Sequence, residues 1–256
     1  MSPLVITILV VSGIGLLIAI AYCNHWVERK KLETSRRTSE LNDRIQRCSG
    51  LSDALPGQLM SADLKLLLSR LQLHFVNQLL LLDKKNQGAI SRKQALTQQL
   101  SLSQDIVLNN PLQAINSEPR GNEVRQQLEN LHTLILRSAK DGALSVQEAK
   151  HWQGEVQHLL AQMHIELFSS IGRLALQNGQ PGRARRAFEQ GVQMLHKQPS
   201  PERYQRAIEK LQAQLDQANS QLVETSPAPL AEDSELNAGL KGLETEEDWK
   251  KKSIYD

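Results

Sequence analysis

Residues 58–85 read QLMSADLKLLLSRLQLHFVNQLLLLDKK, and their apolar side chains recur at intervals of three or four residues. This spacing places them on one side of an α-helix. The apolar positions are Leu64, Leu67, Leu68, Leu71, Phe75, Leu79 and Leu82. Asp63, Lys65 and Arg70 interrupt the run with charge, which disfavours a membrane span. We therefore expect a central buried helix.

The composition of the whole chain favours further helices over strands. Only 4% of the 256 residues are aromatic, and leucine and glutamine are abundant, so we expect an all-α protein. The net charge of +2 disfavours a surface that binds nucleic acid throughout. The two cysteines, Cys23 and Cys48, provide neither a disulfide framework nor a zinc site, which agrees with a reducing compartment.

Local patterns predict where the other helices begin and end. Ser91 with Gln94, and Ser145 with Glu148, have the spacing of capping boxes, and Asn122 can cap a further helix. Turn residues predict helix ends at Asn86–Gly88, Asp141–Gly142, Gln177 and Lys197, and the last helix is expected to end at Val223.

The N-terminal run LVITILVVSGIGLLIAIAY, Leu4 to Tyr22, is apolar over 19 residues, enough for one membrane span. Cations follow the run and none precedes it, which predicts an outside N-terminus and places residues 25–256 in the cytoplasm. We expect a bacterial-type inner membrane protein, with Trp26 at the inner interface. The flanking cations are Arg29, Lys30, Lys31, Arg36 and Arg37.

Two alternatives to a permanent anchor are weighed against the sequence. A secretory signal carries positive charge before its apolar run, but Met1–Pro3 has none. A lipoprotein site has a small residue before its cysteine, whereas bulky Tyr22 precedes Cys23 here. Gly15, Ala19 and Cys23 recur every fourth residue, either as a seam for a homo-oligomer or as small residues tolerated in a membrane helix.

The predicted organisation has four parts: an anchor over 1–24, a juxtamembrane stalk over 25–57, an all-α domain of packed helical hairpins over 58–223, and a flexible tail over 224–256. The stalk is expected to be interrupted at 50–57, which contains Gly50 and Pro56. The tail is rich in proline, serine and acidic residues, which is typical of disorder. Its Trp249 and Tyr255 either dock on a partner or fold back onto the protein's own domain.

A helical hairpin is predicted for IGRLALQNGQPGRARRAFEQGVQML, residues 171–195. Its small and large residues are Ile171, Gly172, Gly179, Ala184, Phe188 and Gly191. At this spacing, residues 164–197 resemble one tetratricopeptide repeat. The resemblance implies two closely packed antiparallel helices and a surface that binds peptide segments of partner proteins. Ala175, Gly191 and the displaced Pro199 depart from the repeat pattern, so a generic αα-hairpin is the alternative.

Arg183, Arg185 and Arg186 form the densest basic cluster of the predicted all-α domain, with Arg173 nearby. This cluster is interpreted as a solvated helix face, or as a site for an acidic peptide or anionic lipid. Nucleic acid is disfavoured because no aromatic residues are interspersed with the arginines.

No catalytic residues, cofactor or metal is predicted. His151, Glu155 and His158 share a helix face but lack a zinc-site pattern, and we interpret them as a solvated flank. The similar turns at Gly88 and Gly142 lack the oxygen ligands of a calcium loop. The sequence therefore predicts a non-catalytic, membrane-anchored scaffold that binds a protein partner. The alternatives are a membrane-surface sensor that binds anionic lipid, and an enzyme without a recognisable motif.

Overall fold

The computed structural model describes residues 3–101 and 108–225, with side chains for 22–101 and 108–223. The predicted all-α class is confirmed, because the described residues form helices and contain no strand. The α-helices are α1 (Pro3–Ala54), α2 (Ala62–Leu82), α3 (Gln87–Ser101), α4 (Glu118–Lys140), α5 (Val146–Gln177), α6 (Pro181–His196) and α7 (Gln205–Thr225). Short 3-10 helices occupy Gly57–Leu59 and Pro201–Tyr204.

The chain divides into two compact units. The first unit comprises residues 1–53 and 62–107, and the second comprises 54–61 and 108–256. The segment expected to form one hairpin domain, 58–223, is thus shared between the two units. The two units alternate along the chain, because residues 62–107 of the first unit separate the two pieces of the second.

In the first unit, α1 changes from an exposed helix to a packed one. All side chains from Tyr22 to Arg37 are exposed. Further along, Leu41, Ile45, Cys48 and Leu51 are buried at helical spacing. The interruption expected over 50–57 begins later than Gly50, since α1 continues through Gly50 and ends at Ala54. Buried side chains on either side of Gly50 outweigh the low helix propensity of glycine.

The helices α2 and α3 form the other part of the first unit. Six of the seven apolar positions predicted for α2 are buried; Leu82 is 37% exposed, at the helix end. The ring of Phe75 lies 5.6 Å from the Arg44 guanidinium of α1. Of α3, only Ala89 and Leu96 are buried.

Two predicted helix starts were displaced from the observed ones. The side chain of Asn86 accepts a hydrogen bond from the Ala89 N–H at 3.0 Å, so α3 begins before the expected capping residue Ser91. Similarly, α4 follows Ser117 rather than Asn122. Both expected caps therefore lie inside helices.

The second unit packs four consecutive helices, α4 on α5, α5 on α6 and α6 on α7. Its start and turn signals agree with the sequence analysis at two points. Ser145 and Glu148 form the predicted capping box at the start of α5. Gly142 ends the turn after α4 with a φ of 74°, a backbone region that favours glycine. The core of the unit includes Phe188, Leu195, Ile208 and Leu211.

An irregular segment, residues 108–117, lies along the 3-10 helix Gly57–Leu59, and we call this segment the strap. The Gly57 N–H donates to the Pro111 carbonyl at 2.9 Å, and Asn110 Nδ2 donates to the Leu55 carbonyl at 2.8 Å. A Cβ atom at Gly57 would overlap the Asn110 carbonyl oxygen. The close backbone approach therefore requires glycine at this position.

The other end of the strap is held by side chains. Gln58 bonds to both the N–H and the carbonyl of Gln113, at 3.2 and 2.6 Å. The Glu166 carboxylate of α5 accepts from the Ile115 N–H at 2.9 Å and from Gln58 Nε2 at 3.1 Å. Ile115 itself is fully buried. These bonds satisfy backbone groups of a segment that has no helical ladder of its own.

Within the part of the chain that the structure describes, no helix is both long and apolar enough to cross a membrane. The expected anchor, Leu4–Tyr22, lies outside the described side chains apart from Tyr22.

Candidate functional site

The contact between α5 and α6 is built around a glycine and a phenylalanine. A Cβ atom at Gly172 would overlap the ring of Phe188 and lie 2.7 Å from its Cδ1 atom. Both residues are buried, as is Ala184 at the start of α6. Because no side chain separates the two helices at Gly172, their backbones approach closely there.

The turn between these helices is made by Gly179. Its φ is 68°, and Gln180 N–H donates to the Ala175 carbonyl at 2.9 Å across the turn. This bond closes the end of α5. Gly191 extends the close packing to α7, because a Cβ there would lie 3.1 Å from both Phe168 Cβ and Leu211 Cδ1. Ile171, also expected to pack in this hairpin, is half-buried.

The three arginines predicted as one cluster lie on different sides of α6. With 3.6 residues per turn, Arg183, Arg186, Gln193 and Lys197 follow one side of the helix, at i, i+3, i+10 and i+14. We call this set the basic face. Arg185 lies on the opposite flank of the buried stripe. The stripe itself comprises Ala184, Ala187, Phe188, Gly191 and Leu195.

The basic face is accessible and lacks a carboxylate partner among the described residues. Arg183, Gln193 and Lys197 are exposed, and Arg186 is half-exposed. Arg183 donates to the Gln180 side chain at 3.1 Å, but no described carboxylate forms an ion pair with Arg183, Arg186 or Lys197. The first turn of α6 also contains no acidic residue. The face therefore presents positive charge that the described chain leaves uncompensated.

The cations expected beside the membrane lie on the exposed part of α1. Arg29, Lys31 and Arg36 are exposed, and Arg37 pairs with Glu33 at 2.8 Å. Lys30 Nζ lies 3.8 Å from the ring centre of Trp26, which is 52% exposed. A cation beside an exposed indole suits the boundary between lipid head groups and water.

A polar cluster that the sequence analysis missed joins α5 to the 3-10 helix before α7. His158 Nδ1 lies 3.0 Å from Tyr204 Oη, and His158 Nε2 lies 3.0 Å from the Gln162 amide nitrogen. Since that amide only donates, Nε2 is the acceptor and Nδ1 donates to the tyrosine. Arg203 and Glu155 pair beside them at 3.8 Å. Both imidazole nitrogens are therefore engaged within the protein.

Burial and the neighbouring charges shift the pKa of His158. Burial lowers its pKa, the Arg203 cation lowers it further, and Glu155 opposes both. Of the other two residues in the expected flank, His151 is exposed and Glu155 is half-buried. The described residues contain no group of histidine, cysteine and carboxylate side chains able to hold a metal ion.

Two titratable groups are buried away from these surfaces. His164 of α5 stacks on Phe168, with ring centres 6.1 Å apart, and neither of its nitrogens has a hydrogen-bond partner of normal geometry. Burial, aided by the charge of Arg125, lowers the pKa of His164 to about 4. Burial likewise raises the pKa of Cys48 to about 12, so its thiol is protonated and inert at neutral pH.

Two predicted residues of the tail, Trp249 and Tyr255, lie outside the described residues. Gly15 and Ala19 of the proposed oligomer seam lie on α1, in the part for which the structure describes the backbone alone. The third seam residue, Cys23, is described and exposed.

Comparison of the chain with protein-family patterns, curated proteins and solved structures found no match.

Proposed function

We propose that this protein is a non-catalytic, membrane-anchored adaptor that holds a partner protein through the basic face of α6. In this proposal Leu4–Tyr22 spans a bacterial-type inner membrane once, with the N-terminus outside and both compact units in the cytoplasm. The occupant of the basic face is an acidic segment of the partner. The tetratricopeptide-like reading of residues 164–197 agrees with such a role and belongs to the same proposal.

The observation that carries the proposal is the uncompensated charge of the basic face. Exposed arginines form short, often bidentate hydrogen bonds with carboxylates, which adds geometric specificity to the attraction. Phe188 and Gly191 on the opposite side pack α6 rigidly against α5 and α7. A rigid helix presents its cations at fixed spacing, so little entropy is lost when an acidic segment binds.

The anchor is supported by the length of the apolar run and by the cations that follow it. The exposed stretch of α1 from Tyr22 to Arg37 would serve as a spacer between membrane and units. The non-catalytic role is inferred from the absence of a catalytic motif in the sequence and from His158, whose two nitrogens are both occupied.

A photocrosslinking amino acid in place of Gln193, in the middle of the basic face, tests the adaptor role in intact cells. We expect a crosslinked partner that disappears in the double variant Arg183→Glu/Arg186→Glu. The matched control is Arg206→Glu, a charge reversal at an exposed position of α7, which should keep the crosslink. Equal loss in both variants, or no crosslink to any protein, would refute the role proposed for this face.

Membrane placement is tested separately. We expect the full chain to remain in the membrane fraction after alkaline washing, and protease added to spheroplasts to leave residues beyond Lys31 intact. Digestion of both units from outside would reverse the proposed orientation.

A second candidate function is a sensor of anionic lipid, favoured by the exposed cations and Trp26 on α1. Flotation of the full chain with liposomes cannot separate binding of anionic lipid from insertion of the anchor into the membrane. The measurement is therefore which lipids surround the protein in nanodiscs. Enrichment of anionic over neutral lipid around the protein, lost in Arg29→Gln/Lys31→Gln/Arg36→Gln, would support the sensor.

A further inference from the structure

We infer that the acidic part of the chain's own tail, residues 232–248, occupies the basic face of α6 and competes there with the partner. This inference rests on the proposed function of that face and adds its regulation. It is argued from three features: the position at which α7 ends and the tail begins, the distance that the tail can span, and the charges of the tail.

The end of α7 lies near the level of Arg183, at the start of the basic face, along the bundle axis. Gly191 of α6 faces Leu211 of α7, and the short connection between these helices makes them antiparallel. At a rise of 1.5 Å per residue, α7 runs about 21 Å from Leu211 to its end at Thr225. Arg183 lies about 12 Å from Gly191 in the same direction. The tail thus leaves α7 roughly 9 Å beyond the level of Arg183 along the bundle.

A flexible chain of the tail's length can reach the whole face. For such a chain, the seven residues from Thr225 to Glu232, the first tail carboxylate after α7, span roughly 15 Å, which is enough for Arg183 and Arg186. The same scaling gives roughly 25 Å for the run Glu244–Asp248, and Lys197 lies roughly 30 Å from the end of α7 along the bundle, so a modest extension is sufficient. A tether of this length gives an effective concentration in the millimolar range.

The charges are complementary. Residues 226–248 contain seven carboxylates and a single lysine, Lys241. The carboxylates are Glu232, Asp233, Glu235, Glu244, Glu246, Glu247 and Asp248. The basic face offers three cations, Arg183, Arg186 and Lys197, with which no described carboxylate forms an ion pair. At millimolar effective concentration, pairing with a Kd below about 1 mM keeps the tail mainly on the face until a partner displaces it.

Carbodiimide crosslinking of the full chain in detergent micelles, read by mass spectrometry, tests this directly. The reagent joins carboxylates to lysines, so Lys197 reports on occupancy of the face. We expect crosslinks from Lys197 to residues 244–248, and few from exposed Lys150 of α5. The double variant Arg183→Glu/Arg186→Glu should reduce the crosslinks from Lys197 roughly fivefold or more. Raised salt should reduce them to a similar extent because it screens the charges. The control variant Arg206→Glu should leave them unchanged.

Charge exchange supplies the decisive control. In the Arg183→Glu/Arg186→Glu background, Glu232→Lys/Asp233→Lys/Glu235→Lys should restore the Lys197 crosslinks, since residues 244–248 remain acidic. Mixing isotopically light and heavy chains shows whether crosslinks arise within one molecule. Absent Lys197 crosslinks, equal crosslinking of Lys150, or predominantly mixed light–heavy products would overturn the inference.

The inference and the proposed function fail separately. Suppose that the tail does not crosslink to Lys197, while the photocrosslink from position 193 to a partner still depends on Arg183 and Arg186. In that case only the binding of the tail to the basic face is wrong. If the tail crosslinks as expected and the photocrosslink to a partner does not depend on these arginines, only the adaptor role of the face is wrong.

Discussion

Gly172 and the ring of Phe188 are in such close contact across the α5–α6 crossing that no side chain fits between them. The smallest residue on one helix is thus matched to the largest apolar residue on the other. This match fixes how near α6 lies to α5, and with it the position of the basic face.

Substitution of Gly172 by alanine should destabilise the second unit. The added methyl overlaps the Phe188 ring, and overpacking of this kind costs about 1–3 kcal/mol. The control is Gly154→Ala on the same helix, where a Cβ meets nothing within 4 Å. That change should stabilise by about 0.5–1 kcal/mol through helix propensity. Urea unfolding of the full chain in micelles measures both, and a shift of the same sign in both would contradict the packing argument.

Substitution of Gly57 by alanine should loosen the strap. A methyl group there overlaps the Asn110 carbonyl, so the strap must move away and its bond to Pro111 lengthens or breaks. We expect faster amide hydrogen exchange at Gly57 and Ile115. Gly50→Ala, where a Cβ has open space on α1, should leave exchange in the strap unchanged. Unaltered protection in the Gly57 variant would show that the close approach is not required.

His164 should make the second unit sensitive to acid. Its pKa is about 4 in the folded protein and about 6.5 when exposed, so the unfolded chain takes up the proton first. Stability is therefore complete above about pH 6.5, falls as the pH drops to 4, and loses about 3 kcal/mol from this residue. His164→Gln should flatten this dependence in urea unfolding, whereas His151→Gln should not. If the free energy of unfolding changed equally with pH in the unsubstituted protein and in both variants, His164 would be excluded as the cause of the acid sensitivity.

The pKa of His158 should respond to its two charged neighbours in opposite directions. Arg203 lowers it and Glu155 raises it, so Arg203→Gln should raise the pKa of His158 and Glu155→Gln should lower it. NMR titration of the imidazole resonances measures both shifts. His132, whose pKa is lowered by burial alone, serves as the internal reference. Parallel shifts at both histidines would point to a global change instead.

Local signals in the sequence predicted much of the helical framework. The capping box at Ser145 and the turn glycines Gly142 and Gly179 act within a few residues, so the sequence shows them directly. Where two adequate signals compete, the pattern misleads. Asn86 and Ser91 can each cap a helix, and the longer helix won because it also buries Ala89.

The strap and the polar cluster could not be predicted because they join residues far apart in the chain. Glu166 meets Gln58 across 108 positions, and His158 meets Tyr204 across 46. Neither pair leaves a periodic trace. In contrast, helix geometry alone places Arg185 on a different side of α6 from Arg183 and Arg186. This placement is predictable from the sequence once Ala184 and Phe188 are known to be on the buried side.

Residues 62–107 of the first unit separate residues 54–61 of the second unit from the rest of it, so the second unit is synthesised in two parts. Leu55, Gly57 and Gln58 leave the ribosome early, yet Glu166 follows Gln58 by 108 positions. At 5–20 residues per second this is a wait of roughly 5–20 seconds. During translation, the Leu55 carbonyl and the Gln58 side chain therefore wait for their partners Asn110 and Glu166, and this region of the second unit is completed late.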